Sequence, residues 1–164
     1  MKAFCVSVLL CLNAFPCAAQ SSNPQPKVEN VTDMKFVTLP NVPMCFTSAV
    51  VYGDPSSGPS TFVIKGTKGC DVPMHYHTPT EQLVMVSGTA QIEMKGEQVR
   101  TVKAGAFAMA PSRHPHHFTC TSACEFCVMS DGAFDIHYVD ASGKEIPFEQ
   151  AVRPAAKTAG GSTY

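Results

Sequence analysis

Two histidines and a glutamate lie close together in the stretch from Gly69 to Gly88, GCDVPMHYHTPTEQLVMVSG. His75 and His77 are separated by one residue, and side chains two apart on an extended strand point to the same face. Glu81 returns to that face if the strand resumes after the break at residues 78–80. Imidazole and carboxylate groups are ligands of divalent transition metals. The stretch therefore predicts part of a metal site that needs a further ligand from elsewhere.

A second histidine-rich stretch, GAFAMAPSRHPHHF from Gly105 to Phe118, is the obvious source of that ligand. Strand alternation places His116 and His117 on opposite faces, so only one of them joins the site. His116 is the favoured ligand, and His117 is then an outward side chain. A bulge in this strand would instead bring His117 inward.

The elements that must position these side chains are short strands. Apolar runs are separated by turn signals at close intervals, and no long window repeats apolar residues at helical spacing. Two segments alternate clearly between apolar and polar residues, namely 89–95 and 134–139. We therefore expect an all-β chain of about eight to ten strands, forming a sandwich or barrel. Only residues 144–152 are predicted to form a short C-terminal helix.

The strand at residues 82–86, QLVMV, is apolar on both faces. A strand of this kind is covered on its outer side as well as its inner side. A second subunit is the expected cover.

The first histidine-rich stretch resembles the first motif of the cupin superfamily, a glycine, five residues, His-x-His, three residues, a glutamate, six residues and a glycine. The matching positions here are Gly69, His75, His77, Glu81 and Gly88. The second stretch resembles the second cupin motif less closely, through Gly105, Pro111 and His116.

The second motif departs from the family at two positions. Arg113 stands where the family has glycine, and Cys120 where it has asparagine. Neither is a ligand position in the family, so the departures concern the local turn and the surroundings of the site.

The resemblance covers roughly residues 39–139 and implies a single-domain, RmlC-like jelly-roll barrel, also called a double-stranded β-helix. It implies that His75, His77, Glu81 and His116 hold one divalent metal, and that the protein is a homodimer. Three imidazoles and one carboxylate suit iron, manganese, zinc, nickel or copper better than calcium or magnesium. Four protein ligands leave two positions open on an octahedral ion and none on a tetrahedral zinc.

Two classes of function follow from this expected site. The favoured hypothesis is a non-haem, metal-dependent oxygenase acting on a small organic substrate, in which Glu81 either binds the metal or serves as a catalytic base, as some cupin dioxygenases suggest. The alternative is a non-catalytic cupin that binds or senses a metal or small ligand, and a purely structural dimer is least favoured. Arg113 is a candidate for binding a substrate carboxylate, although a solvated loop arginine is the commoner case.

The N-terminus predicts export. Residues 1–19 carry one charge, Lys2, a short apolar run and small residues before Gln20, which is typical of a cleaved signal peptide and too short to span a bilayer of ~30 Å. Residues 20–35 are predicted to be a flexible leader, 36–153 the cupin domain and 154–164 a disordered tail. We expect a periplasmic or secreted protein with no membrane association after cleavage.

The charge balance argues against nucleic-acid binding. Lys and Arg number 12 and Asp and Glu 13; removing the signal peptide with Lys2 leaves 11 against 13, a net charge of −2. No basic patch accompanies this balance. The expected partner is a small-molecule ligand, because apolar walls around a metal favour a small, partly hydrophobic or aromatic molecule.

Five cysteines remain in the mature chain, Cys45, Cys70, Cys120, Cys124 and Cys127, because three of the eight lie in the signal peptide. An exported protein favours disulfides, and an odd number leaves at least one thiol free or paired between chains. Cys120 is interpreted as a core residue, with a disulfide across the turn at 121–123 or a free thiol near the metal as alternatives. A separate zinc site formed by Cys120, Cys124 and Cys127 lacks a fourth ligand at suitable spacing.

Overall fold

The structure is a computed structural model that describes residues 25–153, and almost all of its regular structure is β. The elements are β1 (Phe46–Gly53), β2 (Ser60–Gly66), β3 (Asp71–Tyr76), β4 (Glu81–Ser87), β5 (Thr89–Met94), β6 (Arg100–Lys103), β7 (Phe107–Ala110), β8 (His116–Cys120), β9 (Cys124–Ser130), β10 (His137–Val139), β11 (Glu145–Ile146) and the helix α1 (Phe148–Ala151). The predicted all-β class with a short C-terminal helix is confirmed. No helix among these residues has the length and apolar character needed to cross a membrane. The predicted signal peptide and tail lie outside the described residues.

The strands form two antiparallel sheets that face each other. One sheet has the order β1-β2-β9-β4-β7, and the other has the order β11-β10-β3-β8-β5-β6. Neighbours such as β2 and β9, or β4 and β9, are distant in sequence, so most contacts are long-range, as expected for a jelly roll. This arrangement brings β3, β4 and β8, the strands that carry the histidine-rich motifs, around one interior.

The interior is filled by the inward side chains of both sheets. Leu83 and Met85 of β4, Ala90 and Ile92 of β5, and Phe126 of β9 are all buried, while Gln91 between them is exposed. The apolar residues of the alternating sequence pattern are thus the inward ones, because alternate residues of a strand point to opposite faces. The core lies between the two sheets and needs the aromatic side chains of both.

The segment 134–136 differs from its predicted strand. Its alternation predicted a strand over 134–139, but only His137–Val139 pairs in a sheet. The backbone N–H of Phe134 donates to the carbonyl of Pro55 at 2.8 Å, and the Asp135 carboxylate accepts from the N–H of Thr78 at 2.7 Å. The segment is therefore held by neighbouring loops, which leaves its apolar side chains free to cover one end of the interior.

Residues 37–45 form a strap that contacts both sheets. Val37 bridges Ser48 of β1, the Tyr138 hydroxyl of β10 donates to the carbonyl of Asn41 at 2.8 Å, and Cys45 is joined to Cys70 by a disulfide. The disulfide closes a loop over a sequence separation of 25, which corresponds to about 3.5 kcal/mol in the chain-entropy model. The strap therefore holds its apolar residues, Leu39 and Val42, against the interior.

The remaining cysteines are also assigned. Cys120, which is fully buried, is joined to Cys124 across the turn at 121–123, and Cys127 is the free cysteine of the described residues. Cys120 is thus a core residue, as interpreted, and it also forms the disulfide that was the first alternative. It is not the free thiol beside the metal that was the second alternative.

Gly66 marks a close approach at the end of β2. A Cβ on Gly66 would lie 2.6 Å from the Cys120 Sγ and 2.6 Å from a ring carbon of Phe46. Both neighbours are buried and cannot swing away. A side chain at this position therefore overpacks the core.

We predict that Gly66→Ala lowers the free energy of unfolding by about 2 kcal/mol, because the added methyl group overpacks the interior. Urea unfolding followed by circular dichroism measures the effect. Gly58→Ala is the matched control, since a Cβ on Gly58 meets nothing within 4 Å and its backbone has no positive φ. Equal stability of the two variants would contradict the packing seen at Gly66.

Candidate metal centre

Three imidazoles converge at one end of the interior. His75 lies on β3, His77 directly follows β3, and His116 begins β8, directly opposite His75 in the strand pairing. All three are 4% exposed or less, and one ring nitrogen from each lies within 4.8 Å of the others. Both members of the His-x-His pair therefore share the interior with His116.

A bulge in β3 sets the direction of His75. Between the pairs Val72 with Phe118 and His75 with His116, β3 has one residue more than β8. The bulge contains Pro73, which has no N–H to give to the ladder and so suits an irregular position. The bulge lies in β3 and not in β8, so the alternation of β8 is intact and His117 points outward.

Each imidazole is fixed by a hydrogen bond from its outer nitrogen. His75 Nδ1 donates to the carbonyl of Pro73 at 2.7 Å, His116 Nδ1 donates to the carbonyl of His114 at 3.1 Å, and His77 Nδ1 donates to the carbonyl of Asp135. A carbonyl only accepts, so Nδ1 carries the proton in each ring. The three Nε2 atoms are thereby left for the interior, which is how metal-binding histidines are oriented.

Glu81, the first residue of β4, lies beside this cluster. One of its carboxylate oxygens is 3.0 Å from His77 Nε2, and the other is 3.7 Å from His116 Nε2. The separation of 3.7 Å is too long for a hydrogen bond. His116 Nε2 is accordingly one of two buried side-chain polar atoms without a hydrogen-bond partner among the described residues.

Burial controls the ionisation of the cluster. Burial and the nearby charges of His116 and His77 hold the pKa of His75 well below its ordinary value, and burial also lowers the pKa of His116. For His77 burial acts in the same direction, but the Glu81 carboxylate outweighs it and raises the pKa. Burial raises the pKa of Glu81, but His77 more than compensates and lowers it. These shifts favour a proton on His77, beside the Glu81 carboxylate, over a proton on His75 or His116.

The four side chains form one end of a cavity of about 60 Å³ between the sheets. Apart from them and Ser48, the lining consists of apolar side chains from the strap, both sheets and the 134–136 segment, namely Leu39, Val42, Phe46, Ile64, Val72, Leu83, Ile92, Phe118, Phe126, Val128, Phe134 and Ile136. The Phe134 ring lies 4.8 Å from the His77 ring. The cluster is thus the polar end of an otherwise apolar space.

Arg113 does not line this cavity. Its guanidinium lies 5.8 Å from the centre of the Tyr76 ring, and Tyr76 points outward, where its hydroxyl donates to Glu145. The structure therefore does not bring Arg113 together with the imidazoles, and its role in holding a substrate carboxylate stays a prediction. Its backbone has a φ of 58°, a left-handed conformation that costs an arginine about 1 kcal/mol and a glycine almost nothing.

Two other histidines, His117 and His137, face outward. His117 Nε2 lies 2.7 Å from an Asp71 carboxylate oxygen on the outer side of the sheet. His137 stacks on the Tyr76 ring and lies between the carboxylates of Asp135 and Glu145. Neither contacts the three converging imidazoles.

Sequence reasoning missed two contributors to the site. The carbonyl of Asp135 orients His77, and Phe134 packs on the same ring. A backbone carbonyl has no sequence signature, and the segment was expected to be a regular strand.

Two facing antiparallel sheets with histidines at one end of their interior define a jelly-roll protein. Residues 62–130 match the family model of the cupin domain. The chain belongs to the cupin superfamily. None of the curated proteins compared with it matches the chain.

Solved structures with the same fold include enzymes. A polyketide cyclase, RemF from Streptomyces resistomycificus, is 19% identical with a TM-score of 0.63, over 79% of this chain and 95% of that one. An RmlC-like cupin from Ralstonia eutropha JMP134 is 16% identical with a TM-score of 0.59, over 75% and 78% of the two chains. The DMSP lyase DddQ from Ruegeria pomeroyi DSS-3 is 18% identical with a TM-score of 0.57, over 69% and 64%. At these identities the likeness concerns the fold alone.

We predict that the metal-free protein loses stability as the pH falls below about 6.5. The lowered pKa values of His75 and His116 mean that the unfolded chain takes up protons there before the folded one, so stability rises with pH in this range. Each group contributes up to about 1.4 kcal/mol per pH unit. The raised pKa of His77 acts above this range, and the lowered pKa of Glu81 acts at more acid pH.

Urea midpoints measured between pH 7 and pH 5 in the presence of a chelator test this prediction. His75→Gln should flatten the dependence, whereas Ser48→Ala, which also lines the cavity but does not titrate, should preserve it. An unchanged slope in His75→Gln would show that the imidazole is not buried in the neutral form.

Proposed function

We propose that this cupin binds one divalent transition metal through His75, His77, Glu81 and His116. The observation that carries the proposal is the convergence of three buried Nε2 atoms whose orientation is fixed from behind. One of them, on His116, has no hydrogen-bond partner, which costs about 1–3 kcal/mol in a folded protein unless a ligand is bound. A divalent ion satisfies all three nitrogens at once.

The donor set indicates the kind of metal. Three imidazole nitrogens and a carboxylate are borderline ligands that favour iron, manganese, nickel, copper or zinc. Binding requires His77 to give up the proton that it shares with Glu81, so the metal affinity should rise with pH.

We further propose that the site acts on a small organic molecule as a non-haem oxygenase. A metal bound there would supply Lewis acidity and a template for a chelating substrate. The chain's own residues supply a mostly apolar cavity and, in Glu81, a carboxylate that contacts two of the three imidazoles and either holds the metal or serves as a base. The alternative is a non-catalytic cupin that uses the same metal and cavity to bind or sense a ligand.

Metal analysis of purified protein tests the ligand assignment. We predict about one equivalent of a divalent metal in the wild type, and a loss of at least tenfold in His116→Ala and in the double variant His75→Ala/His77→Ala. His117→Ala is the matched control, because it removes the neighbouring imidazole from the outer face and should keep the metal. Equal metal content in all four proteins would refute the assignment.

The same preparations separate the two functions. Oxygen consumption with small catechols or enolisable diketones that is lost in His116→Ala supports the oxygenase. Ligand binding without oxygen consumption by the iron- and manganese-loaded forms supports the binding protein.

We propose that the protein works outside the cytoplasm, on the strength of the predicted leader and the disulfides at Cys45–Cys70 and Cys120–Cys124. The mass of the mature protein from the producing cell checks this: it should begin at Gln20, and an intact Met1 would argue against export.

We also propose a homodimer that uses the outer face of the five-stranded sheet. Val63, Cys127, Val84 and Phe107 are paired in one row across β2, β9, β4 and β7. Phe107 is 60% exposed and Met109 on the same strand 50% exposed. Val63 is already buried, but the exposed apolar surface of Phe107 and Met109 is costly to leave in water, and a second copy of the chain is the proposed cover.

We predict that Phe107→Glu converts the dimer into a monomer, because it places a charge in the apolar row. Light scattering coupled to size-exclusion chromatography measures the mass. Thr101→Glu adds the same charge on exposed β6 of the other sheet and should leave the dimer intact. A wild-type protein that is monomeric at micromolar concentration would refute the proposed interface.

A further inference from the structure

The ionisable groups that line the cavity are few and are confined to one end. Among the described lining residues these are Glu81 and the three imidazoles, and none is a lysine or an arginine. Arg113, the nearest cation in the second motif, is turned toward the outer face at Tyr76. Once the three imidazoles hold a metal, the described lining therefore offers no cationic side chain that could pair with the carboxylate of a ligand.

A second crevice lies beside the cavity. It is lined by the strap, the loop at Pro55 and the 134–137 segment, and it shares Leu39, Phe134 and Ile136 with the cavity. Its polar lining residues are Asn41, Ser56, Asp135 and His137, and the Asp135 carboxylate accepts from the N–H of Thr78 at 2.7 Å. Among the described residues no lysine or arginine lines this crevice either.

The charge of the donor set limits the charge of the ligand. Three neutral imidazoles and the Glu81 carboxylate sum to −1, so the site with a divalent ion carries +1. A monoanionic ligand brings the buried site to neutrality. A dianion leaves a net charge of −1 and a neutral ligand leaves +1, and an uncompensated charge in an apolar cavity is strongly disfavoured.

The cavity also limits the size of the ligand. A volume of about 60 Å³ is room for roughly four water molecules, or about four to eight bonded non-hydrogen atoms. Its walls are aliphatic and aromatic, apart from the hydroxyl of Ser48. The body of the ligand is therefore small and apolar.

We infer that the cavity selects small chelators that bind through two oxygens with a single negative charge, such as hydroxamates, enolised diketones, hydroxypyranones or singly deprotonated catechols, and that it discriminates against dicarboxylates. This inference rests on the proposed metal site and assigns its ligand class. It removes the dicarboxylates and other dianions that a cation at the mouth of the cavity would favour.

Two probes of matched size test the inference. Acetohydroxamate and oxalate both chelate through two oxygens in a five-membered ring, but they carry one and two negative charges. With protein loaded with Co²⁺, the visible absorption spectrum reports the binding of either probe without any need for turnover. We expect the preference for acetohydroxamate over oxalate to be at least tenfold greater in the protein than for Co²⁺ in water.

A substitution in the lining reverses the preference. Ile136 is only partly buried, on the 134–136 segment, and is not among the metal-binding residues. Ile136→Arg places a cation beside the cavity and should strengthen oxalate binding at least tenfold relative to Ile136→Gln, the uncharged control of similar length. Both variants should bind Co²⁺ as the wild type does, which metal analysis verifies.

The outcomes separate this inference from the proposed function. If the wild type binds no Co²⁺, the metal site is refuted and the ligand class is refuted with it. If it binds Co²⁺ but the ratio of its affinities for acetohydroxamate and oxalate equals that of Co²⁺ in water, or favours oxalate, the metal site stands and the charge selection is overturned. A shift toward acetohydroxamate that Ile136→Arg reverses and Ile136→Gln does not supports the inference.

Discussion

The pairing of β3 with β8 is the constraint on which the candidate site depends. It places His75 directly opposite His116, and the bulge at Pro73 gives His75 both its inward direction and the carbonyl that its Nδ1 needs. A slip of one residue in this register would turn His116 outward and His117 inward, because the side-chain period of a strand is two. The apolar neighbours on β8 oppose such a slip, since Phe118 and Cys120 would leave the core with it. Core packing thus selects the register, and the register builds the cluster.

The parts that could be predicted from sequence are those with a periodic or spaced signal. The alternation of residues 89–95 fixed the inner face of β5, and the His-x-His spacing indicated which imidazoles share a face. Alternation alone was enough to choose His116 over His117 as the inward side chain, because β8 contains no bulge. The all-β class and the cupin resemblance followed from the same signals.

The parts that could not be predicted depend on tertiary contacts. The 134–136 segment alternates like a strand, yet its backbone groups find partners on loops, so it covers the cavity instead of joining a sheet. The Asp135 carbonyl that orients His77 is contributed by backbone, which is invisible in composition. Arg113 shows the converse case: it stands where the family has glycine, and its backbone adopts the left-handed conformation that glycine favours. Its side chain lies toward Tyr76 and is not part of the described cavity lining, a direction that its position in the motif alone does not predict.

The polar groups of the cavity are arranged at a cost to the folded state. Four ionisable side chains occupy the end of an apolar space, burial opposes protonation of all three imidazoles, and His116 Nε2 is left without a partner. An apolar core of the same shape would be more stable, because buried ionic groups rarely recover their desolvation free energy. Departures from the rules of a stable core are expected at functional sites. The arrangement is explained if a cation binds the Nε2 atoms and so replaces the hydrogen bonds that they lack. The low polarity that makes the metal-free site costly then also makes the charge of the incoming ligand decisive.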